Sequence, residues 1–318
     1  MKTSNIILSV LLVGILFSCD KVDRPVVPDD TEKLIQKFYP EDPANFELNP
    51  TFPENTNTNR NVLIEDYTGH TCNNCPPAAT IAKNIETTYS GRAFVLSVHA
   101  GGATNSFQRV SADYPTDFTT EAGTAYSVDI PNFFGNPSGL ISRKIYNTKL
   151  WLVSGDWDAA TQAVLNENKL VANIQIISKY YPETGGVFVH YEVEAKEDIS
   201  DDLRVIILLA EKKVISPQKM PDGSKTSDYE HHNVLSGILT STYLAEDGSI
   251  NYSSFFGNNI GSLKSGEKKT GLAINGLKEM NTKRTINADG GNDLVVFALV
   301  TNSSTNEIYQ VVTQDLEF

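Results

Sequence analysis

The sequence of 318 residues predicts an α/β layer domain followed by an all-β sandwich. Between residues 58 and 169, short apolar runs alternate with segments of helical periodicity. From residue 170 to residue 318, apolar runs of strand length follow one another between turn signals, without a comparable helix. With 40% apolar and 9% aromatic residues, the chain can form two cores of ordinary size.

The composition excludes some classes of partner. The formal net charge is -13, whereas nucleic acids and anionic membrane surfaces bind clustered Lys and Arg. We therefore expect no nucleic acid partner, and we expect the acidity to keep an extracytoplasmic protein soluble. No Gly-x-Ser-x-Gly elbow or phosphate loop is present, so the sequence indicates no small-molecule substrate and no organic cofactor.

Residues 1–18 are predicted to be a lipoprotein signal peptide. Lys2 precedes an apolar run from Ile6 to Phe17 that is shorter than the ~20 residues needed to span a bilayer. The end of this run, LFSC, resembles the bacterial lipobox, which implies cleavage before Cys19 and its acylation with chains such as palmitate. Several chains, at ~0.8 kcal/mol per buried methylene, give durable attachment to a membrane. The alternative is an ordinary signal peptide with an incidental cysteine.

Residues 19–57 are predicted to be a lipidated N-terminus and a tether. The segment is rich in Pro, Asp, Glu and Asn and has few sustained apolar patterns. TEKLIQKFY predicts a short helix within it. We expect part of this tether to be ordered against the first domain.

The elements of the α/β domain, residues 58–169, follow in order. NVLIEDY predicts a buried strand. CPPAATIAKNIETTY predicts a helix that tolerates proline in its first turn and ends at the following SG. AFVLSVHA is a second buried strand, and TDFTTEAGTAYSV is a weakly periodic helix. SGLISRKIY predicts a strand, and SGDWDAATQAVLNENK predicts a helix capped by Ser154 or Asp156.

The β domain, residues 170–318, is predicted to be a sandwich of immunoglobulin-like size. Its strands are LVANIQIISKYY, GVFVHYEVEA, DLRVIILLAEKKV, EKKTGLAI, DLVVFALVTN and EIYQVVTQDLEF. YEHHNVLSG, from Tyr229 to Gly237, contains two adjacent histidines. They could form a metal or proton site, but neighbours on a strand point to opposite faces. We favour a polar strand or loop that docks one domain onto the other.

Cys72 and Cys75 form a C-x-x-C pair between a strand and a helix, in GHTCNNCPP. This arrangement would place Cys72 at a helix N-terminus, where the dipole and free N–H groups stabilise a thiolate. Cys75, one turn further in, would be sheltered and would resolve a mixed disulfide. If Cys19 is lipidated, export to an oxidising compartment leaves Cys72–Cys75 as the possible intramolecular disulfide.

Two other interpretations of the pair stay open. His70, Cys72 and Cys75 could supply three metal ligands, but a structural zinc site usually has four and no second C-x-x-C exists. We therefore expect no metal. A static disulfide would close a very short loop and contribute little stability, which favours redox chemistry.

VLIEDYTGHTCNNCP resembles the strand–CxxC–helix start of the thioredoxin-like superfamily. The sequence departs from the superfamily pattern at Thr71, where an aromatic residue is usual, and at the dipeptide Asn73-Asn74, which lacks proline. In this superfamily that dipeptide tunes the reduction potential.

The resemblance also implies roles for neighbours of the pair. Asp66, six positions before Cys72, matches the buried acid that assists deprotonation of the second cysteine. A slip of one residue would put Glu65 on that face instead. His70, two positions before Cys72, would favour the thiolate if it were protonated nearby; the alternative is an exposed loop histidine.

The superfamily also has a cis-proline facing the cysteines, just before a later strand. Two prolines compete for this position in VDIPNFFGNPSGLISRK. Pro131 has the familiar isoleucine before it, whereas Pro137 is followed at once by a predicted strand. We favour Pro137, although cis X–Pro bonds are a minority.

The lipobox, IEDYTGHTCNNCPPA, PSGLISRK, YEHHNVL and VVFALVTNSSTNEIYQ together resemble the twenty-eight-kilodalton outer-membrane protein family. These are bacterial lipoproteins with a thioredoxin-like domain and a C-terminal β domain. The match at YEHHNVL is partial, because Ser236 stands where an arginine is expected. The resemblance covers nearly all of the mature chain. It implies a lipid anchor at the outer membrane, periplasmic or surface exposed, and it implies much less about activity.

Two functions therefore compete. In the first, Cys72 and Cys75 exchange disulfides with the thiols or disulfides of partner proteins, and Pro137 shapes the groove. In the second, the protein is a surface binding module or adhesin in which the disulfide is static and the β domain binds a surface protein or glycan. Accessible sulfur in a groove opposite the cis-proline would favour the first, and covered sulfurs would favour the second.

Overall fold

The structure is a computed structural model that describes residues 29–100, 106–280, 283–286 and 293–317. These residues contain five α-helices, three short 3-10 helices and fifteen strands. The helices are α1 (Asp29–Phe38), α2 (Cys75–Thr88), α3 (Glu121–Asp129), α4 (Trp157–Glu167) and α5 (Leu277–Met280). The strands before residue 200 are β1 (Val62–Thr68), β2 (Ala93–His99), β3 (Ser138–Ile141), β4 (Ala172–Tyr181), β5 (Gly186–Ala195) and β6 (Ile199–Ile215).

Nine strands follow residue 215, and they are divided between the main sheet, a three-stranded sheet and two short hairpins. They are β7 (Gln218–Lys219), β8 (Lys225–Thr226), β9 (Glu230–Ile238), β10 (Thr242–Leu244), β11 (Ile250–Tyr252), β12 (Asn258–Leu263), β13 (Lys268–Gly276), β14 (Leu294–Asn302) and β15 (Ile308–Asp315). The predicted signal peptide and Cys19 lie outside the described residues, so their outcome stays a prediction. Within the described residues, no helix combines the length and the apolar character that a membrane crossing requires.

The main sheet is mixed and has the strand order β15-β14-β6-β9-β2-β1-β3, with β12 paired to β6. β1 is parallel to β2 and antiparallel to β3, and β2 is parallel to β9. A separate antiparallel sheet has the order β13-β5-β4. The fold therefore contains a mixed α/β sheet and a separate all-β region. The immunoglobulin-like character of that region stays a prediction.

β9 joins the two parts of the main sheet. It pairs with β6 on one side, and Ser97 of β2 pairs with Val234 on the other. The prediction that the YEHHNVLSG segment docks one part onto the other is thus confirmed. The predicted boundary at residues 169 and 170 lies between α4 and β4, and the main sheet contains strands from both sides of it.

Both faces of β6 are buried, which explains its unbroken apolar run. Val205, Ile207 and Leu209 pack into a core shared with β4, β5, β13 and β14. The intervening residues Ile206 and Leu208 pack into a second core shared with β1, β2 and α3. A third core lies under α2 and α4, on β1–β3. The strand therefore links the all-β region to the α/β layer.

The segment before β1 packs differently from the prediction. TEKLIQKFY is helical as predicted, except for its last residue, because α1 ends at Phe38. However, Phe38 and Leu34 of α1 pack with Phe188 of β5 and Ile274 of β13, so the expectation that the tether is ordered against the first domain is wrong. The apolar side of α1 is buried where the outer face of the small sheet supplies aromatic and aliphatic partners.

β3 is shorter than the strand predicted from SGLISRKIY. It ends at Ile141 because Ser142 and Arg143 have φ values of 47° and 49°, outside the extended region. This turn directs the Arg143 side chain into the interior. There Nε and Nη2 donate hydrogen bonds of 2.8 and 2.7 Å to the two carboxylate oxygens of Glu65.

Candidate functional site

The cysteine pair lies in the connection between β1 and α2. Cys72 and Cys75 form a disulfide, with their Cα atoms 5.4 Å apart. The Cys72 N–H donates to the carbonyl of Gly69 at 3.0 Å, which closes a turn before the helix. Cys75 is the first helical residue, so the predicted placement of Cys72 at the helix start is corrected by three positions. Because proline lacks an N–H and is accepted only in a first turn, the helix begins just before Pro76.

A short hairpin, β7–β8, covers the cysteine pair from one side. Gln218 Nε2 donates to the carbonyl oxygens of Cys72 and Gly69, at 3.0 and 3.3 Å. The N–H of Lys219 donates to the carbonyl of His70 at 2.8 Å. These bonds hold the hairpin against the backbone of the C-x-x-C turn.

The segment 106–109 covers the same turn from another direction. The N–H of Thr71 donates to the carbonyl of Phe107 at 3.2 Å. A Cβ added to Gly69 would lie 2.8 Å from both Cβ and O of Phe107, so this close approach requires glycine. With both covers in place, Cys72 and Cys75 are each 1% exposed. An open groove at the sulfur of Cys72, as exchange with a protein requires, is not observed in the described residues.

The peptide bond between Asn136 and Pro137 is cis. Asn136 Nδ2 donates to the carbonyl of Thr68 at 2.7 Å, and Ser138 pairs with Tyr67 of β1. Pro137 therefore lies at the end of β1 from which the cysteine turn departs. The competing residue, Pro131, instead accepts a hydrogen bond of 2.9 Å at its carbonyl from the indole of Trp151.

Asp66 and Glu65 occupy opposite faces of β1. Glu65 forms the buried pair with Arg143, on the face away from α2. Asp66 is 1% exposed and lines a cleft with Cys75. Burial raises the pKa of Asp66 to about 7. The structure thus brings Asp66 rather than Glu65 into the cleft with the disulfide, and its catalytic role stays a prediction.

His70 is buried rather than exposed. Its Nε2 lies 3.0 Å from the carbonyl of Arg109, and its ring stacks on Tyr114 with a centroid separation of 5.7 Å. Burial lowers the pKa of His70. The neutral ring is therefore favoured, and the protonated ring that would stabilise a Cys72 thiolate is disfavoured.

A cleft of about 410 Å³ opens between α2 and the start of β9. Its lining includes Cys75 and Ala79 of α2, Asp66 of β1, and Ser97 and His99 of β2. From β9 come His231 and His232, whose side chains differ in exposure, His231 being buried. The two histidines therefore differ in burial, although both line the same cleft; the prediction that they point to opposite faces stays a prediction. Within the described residues no three His, Cys, Asp or Glu side chains are arranged to hold a metal ion.

Sequence analysis missed the buried histidine pair in this cleft. The rings of His99 and His231 are 5.6 Å apart, and both contact Phe118, with centroid separations of 4.4 and 4.6 Å. Burial lowers the pKa of His231 to about 3, and that of His99 well below its ordinary value. The available signal was His99 itself, a polar residue at the end of the buried run AFVLSVHA.

The fold and the disulfide define a protein with a mixed α/β sheet, a covered C-x-x-C pair and an all-β region. No family model matches the chain, and no curated protein matches it. Among solved structures, HBP35 of Porphyromonas gingivalis is 16% identical, with a TM-score of 0.54 over 82% of this chain and 76% of that chain. This similarity shows a shared fold.

A domain of the outer membrane lipoprotein Omp28 from Porphyromonas gingivalis is also similar. It is 16% identical, with a TM-score of 0.29 over 46% of this chain and 88% of that chain. This TM-score is too low to show a shared fold.

Proposed function

We propose that this protein is a lipid-anchored envelope protein that binds a surface protein or glycan. In this proposal Cys72–Cys75 is a structural disulfide, which does not exchange, within a thioredoxin-like scaffold. The observation that carries the proposal is the double cover over the pair, with each cysteine 1% exposed. Exchange requires a thiolate to reach a disulfide sulfur in line, and a buried sulfur is inert toward partners of protein size.

The proposed location rests on the sequence. LFSC resembles a lipobox, and the motifs of the mature chain resemble the twenty-eight-kilodalton outer-membrane protein family. Residues 29–57 lead from the proposed anchor to the all-β region rather than to the cysteine turn. The anchor would therefore tether the molecule by its all-β side.

The experiment that tests this proposal is a reduction potential. Full-length protein, purified in detergent, is equilibrated in glutathione buffers, and its free thiols are trapped. We expect a potential below about -300 mV, the range of structural disulfides. A potential between about -120 and -270 mV would instead place the pair among exchange-active disulfides and overturn the proposal.

A second experiment tests the cover directly. Gln218→Ala removes the side-chain donor to Cys72 and Gly69 and should raise the rate of reduction by dithiothreitol several-fold. Gln162→Ala removes an exposed side-chain bond to Asp158 on α4 and is the matched control. Equal rates in wild type and Gln218→Ala would show that the hairpin does not shield the disulfide.

Disulfide exchange is kept as a second candidate function because of Asp66. A buried acid with a pKa of about 7, in one cleft with Cys75, is suited to take a proton from the second cysteine. The discriminating experiment is a Cys75→Ser trap expressed in cells. Mixed disulfides between Cys72 and partner proteins would support exchange. Their absence, together with a reduction potential below about -300 mV, would support a structural disulfide.

A further inference from the structure

The cleft between α2 and β9 contains buried polar groups that the protein leaves without partners. Among the described residues, Asp66 Oδ1, both ring nitrogens of His99 and Nε2 of His231 have no hydrogen-bond partner. The three side chains are 1%, 2% and 5% exposed, and all three line the cleft. An unsatisfied buried polar group costs about 1–3 kcal/mol, so proteins seldom concentrate several of them without a reason.

The floor of the cleft is close to neutral. Burial keeps both imidazoles uncharged at neutral pH, and it keeps a large share of the Asp66 carboxyl protonated. A neutral imidazole offers one donor and one acceptor, and a protonated carboxyl offers both as well. A ligand with a full charge would find no counter-charge among these three groups, and its burial against them would be costly. The charged side chains that line the cleft, Lys83, Glu86 and Glu230, belong to α2 and to the start of β9.

The side of the cleft formed by α2 is mixed. Pro76, Ala79 and Ala82 give it small apolar surface, and Thr80, Lys83 and Glu86 of the same helix also line the cleft. Tyr229 adds an aromatic ring, which lies 4.9 Å from the ring of His231, centroid to centroid. A volume of about 410 Å³ falls within the range of small-molecule sites.

We propose that this cleft binds a small neutral molecule rich in hydroxyl groups, which is the chemistry of a sugar. Hydroxyl groups both donate and accept, so they match Asp66, His99 and His231 on the floor. The C–H face of a sugar ring matches the apolar surface of Pro76, Ala79 and Ala82. This inference rests on the proposed binding function and names the class of ligand for it.

The test uses full-length protein with D-glucose, D-galactose and N-acetyl-D-glucosamine as separate probes in saturation-transfer NMR. Glycan chains that end in each of these sugars are measured in the same way. A comparison of the two sets shows whether the cleft binds a free sugar or the terminal residue of a chain. We expect saturable binding of at least one probe. Inorganic phosphate and acetate are charged probes and should not compete. The inference would be overturned if no sugar and no glycan showed saturable binding. It would also be overturned if phosphate or acetate bound more tightly than the sugars.

Two variants locate the binding. Ala79 is partly exposed on α2, so Ala79→Phe should fill the cleft without entering the core and reduce affinity at least tenfold. Ala159→Phe makes the same change at an exposed position of α4 and should bind as wild type does. Equal affinity of the two variants would place any binding outside the cleft.

A polar variant tests the floor. Asp66→Asn retains a donor and an acceptor and should bind within about threefold of wild type, whereas Asp66→Leu should lose binding at least tenfold. Circular dichroism reports whether each variant is folded, and a folded Asp66→Leu that binds normally would overturn the assignment of the floor.

The same proteins separate this inference from the proposed function. If Ala79→Phe slows a measured disulfide exchange, the cleft serves exchange and the proposed function fails. If the disulfide is inert and no sugar binds, the proposed function stands and the assignment of the cleft fails.

Discussion

At the scale of single residues, the buried pair of Glu65 and Arg143 is a contact with a large expected effect on stability. The two side chains are 0% and 1% exposed, and the guanidinium also lies 4.4 Å from the ring centroid of Tyr126. Arg143→Met leaves the Glu65 carboxylate buried without its partner, so we expect a loss of about 3–5 kcal/mol in the free energy of unfolding. Urea denaturation at pH 7 measures it.

The control for this prediction is a half-exposed ion pair on the main sheet. Lys213 lies 2.6 Å from Glu230, with side chains 51% and 47% exposed. Lys213→Met should cost about 0–1 kcal/mol because solvent already screens the pair. The double variant Glu65→Gln with Arg143→Met should recover part of the loss. Equal effects of Arg143→Met and Lys213→Met would contradict the assignment of a buried ionic contact.

Asp66 predicts a pH dependence with a definite sign. Burial raises its pKa to about 7 in the folded protein, whereas in the unfolded chain it lies near 4. Between these values the folded protein holds a proton that the unfolded chain releases, so the free energy of unfolding falls as pH rises from about 4 to about 7. The full contribution is about 4 kcal/mol. Asp66→Asn cannot ionise and should gain stability over wild type across this interval.

Urea denaturation at pH 5, 6, 7 and 8 measures that difference. Asp228→Asn, at an exposed position, is the control and should follow wild type at every pH. A difference between Asp66→Asn and wild type that does not change with pH would show that Asp66 titrates alike in the folded and unfolded states.

Residue-level prediction from the sequence was limited by long-range contacts. Asp66 was predicted to face the cysteines because it lies six positions before Cys72. The sequence could not show which face of β1 each carboxylate occupies, because that depends on the pairing of Glu65 with Arg143, far away in the chain. The burial of His70 depends on Tyr114 and on the carbonyl of Arg109, which are distant in sequence. A loop histidine and a buried histidine have the same local sequence, so the alternatives could not be separated.

At the scale of elements, the contact of segment 106–109 with the cysteine turn depends on a glycine. A side chain at Gly69 would clash with Phe107, and overpacking of this kind costs about 1–3 kcal/mol. Gly69→Ala should therefore favour the opened segment and accelerate reduction of Cys72–Cys75 by dithiothreitol roughly fivefold or more.

Gly155→Ala is the control for that prediction, because a Cβ at Gly155 meets no atom within 4 Å. Its rate of reduction should equal that of wild type. A Gly69→Ala protein that is folded by circular dichroism and is reduced at the wild-type rate would show that the segment contributes no protection.

Elements with a strong apolar period were predictable, and short polar elements were not. α2 and α4 follow the spacing of their buried residues, and the long strands β5, β6 and β14 follow their apolar runs. The hairpin β7–β8 has two residues in each strand and was evident only as a PDGS turn. Its importance comes from Gln218, whose partners lie about 146 positions earlier in the chain.

At the scale of the whole molecule, the sequence predicted two domains and the described residues share one main sheet. Strand runs indicate which segments are extended, but they do not indicate which strands become neighbours. β9 pairs with the nearby strand β6, but its pairing with β2 joins Ser97 to Val234, which are more than a hundred positions apart in the chain. Whether the two parts fold as separate domains therefore depends on the free energy of the contacts between them, which the pattern of strands in the sequence does not give.

The shared core predicts one cooperative unfolding transition. Leu96 of β2 and Tyr67 of β1 pack in the same core as Leu208 of β6 and Phe297 of β14. Unfolding of either part would expose the apolar surface of the other, at about 25 cal/mol per Å². We therefore expect the residues on both sides of position 170 to lose their structure at the same denaturant concentration.

Two probes report separately on the two parts. The chain has two tryptophans, and both Trp151 and Trp157 are buried on the N-terminal side of residue 170. Their fluorescence follows that side, and hydrogen exchange of the β14 amides follows the other. Coincident transitions with equal free energies indicate a single cooperative unit. Protection that persists in β14 after the tryptophan signal is lost would mean that the parts unfold as independent domains, despite the continuous sheet.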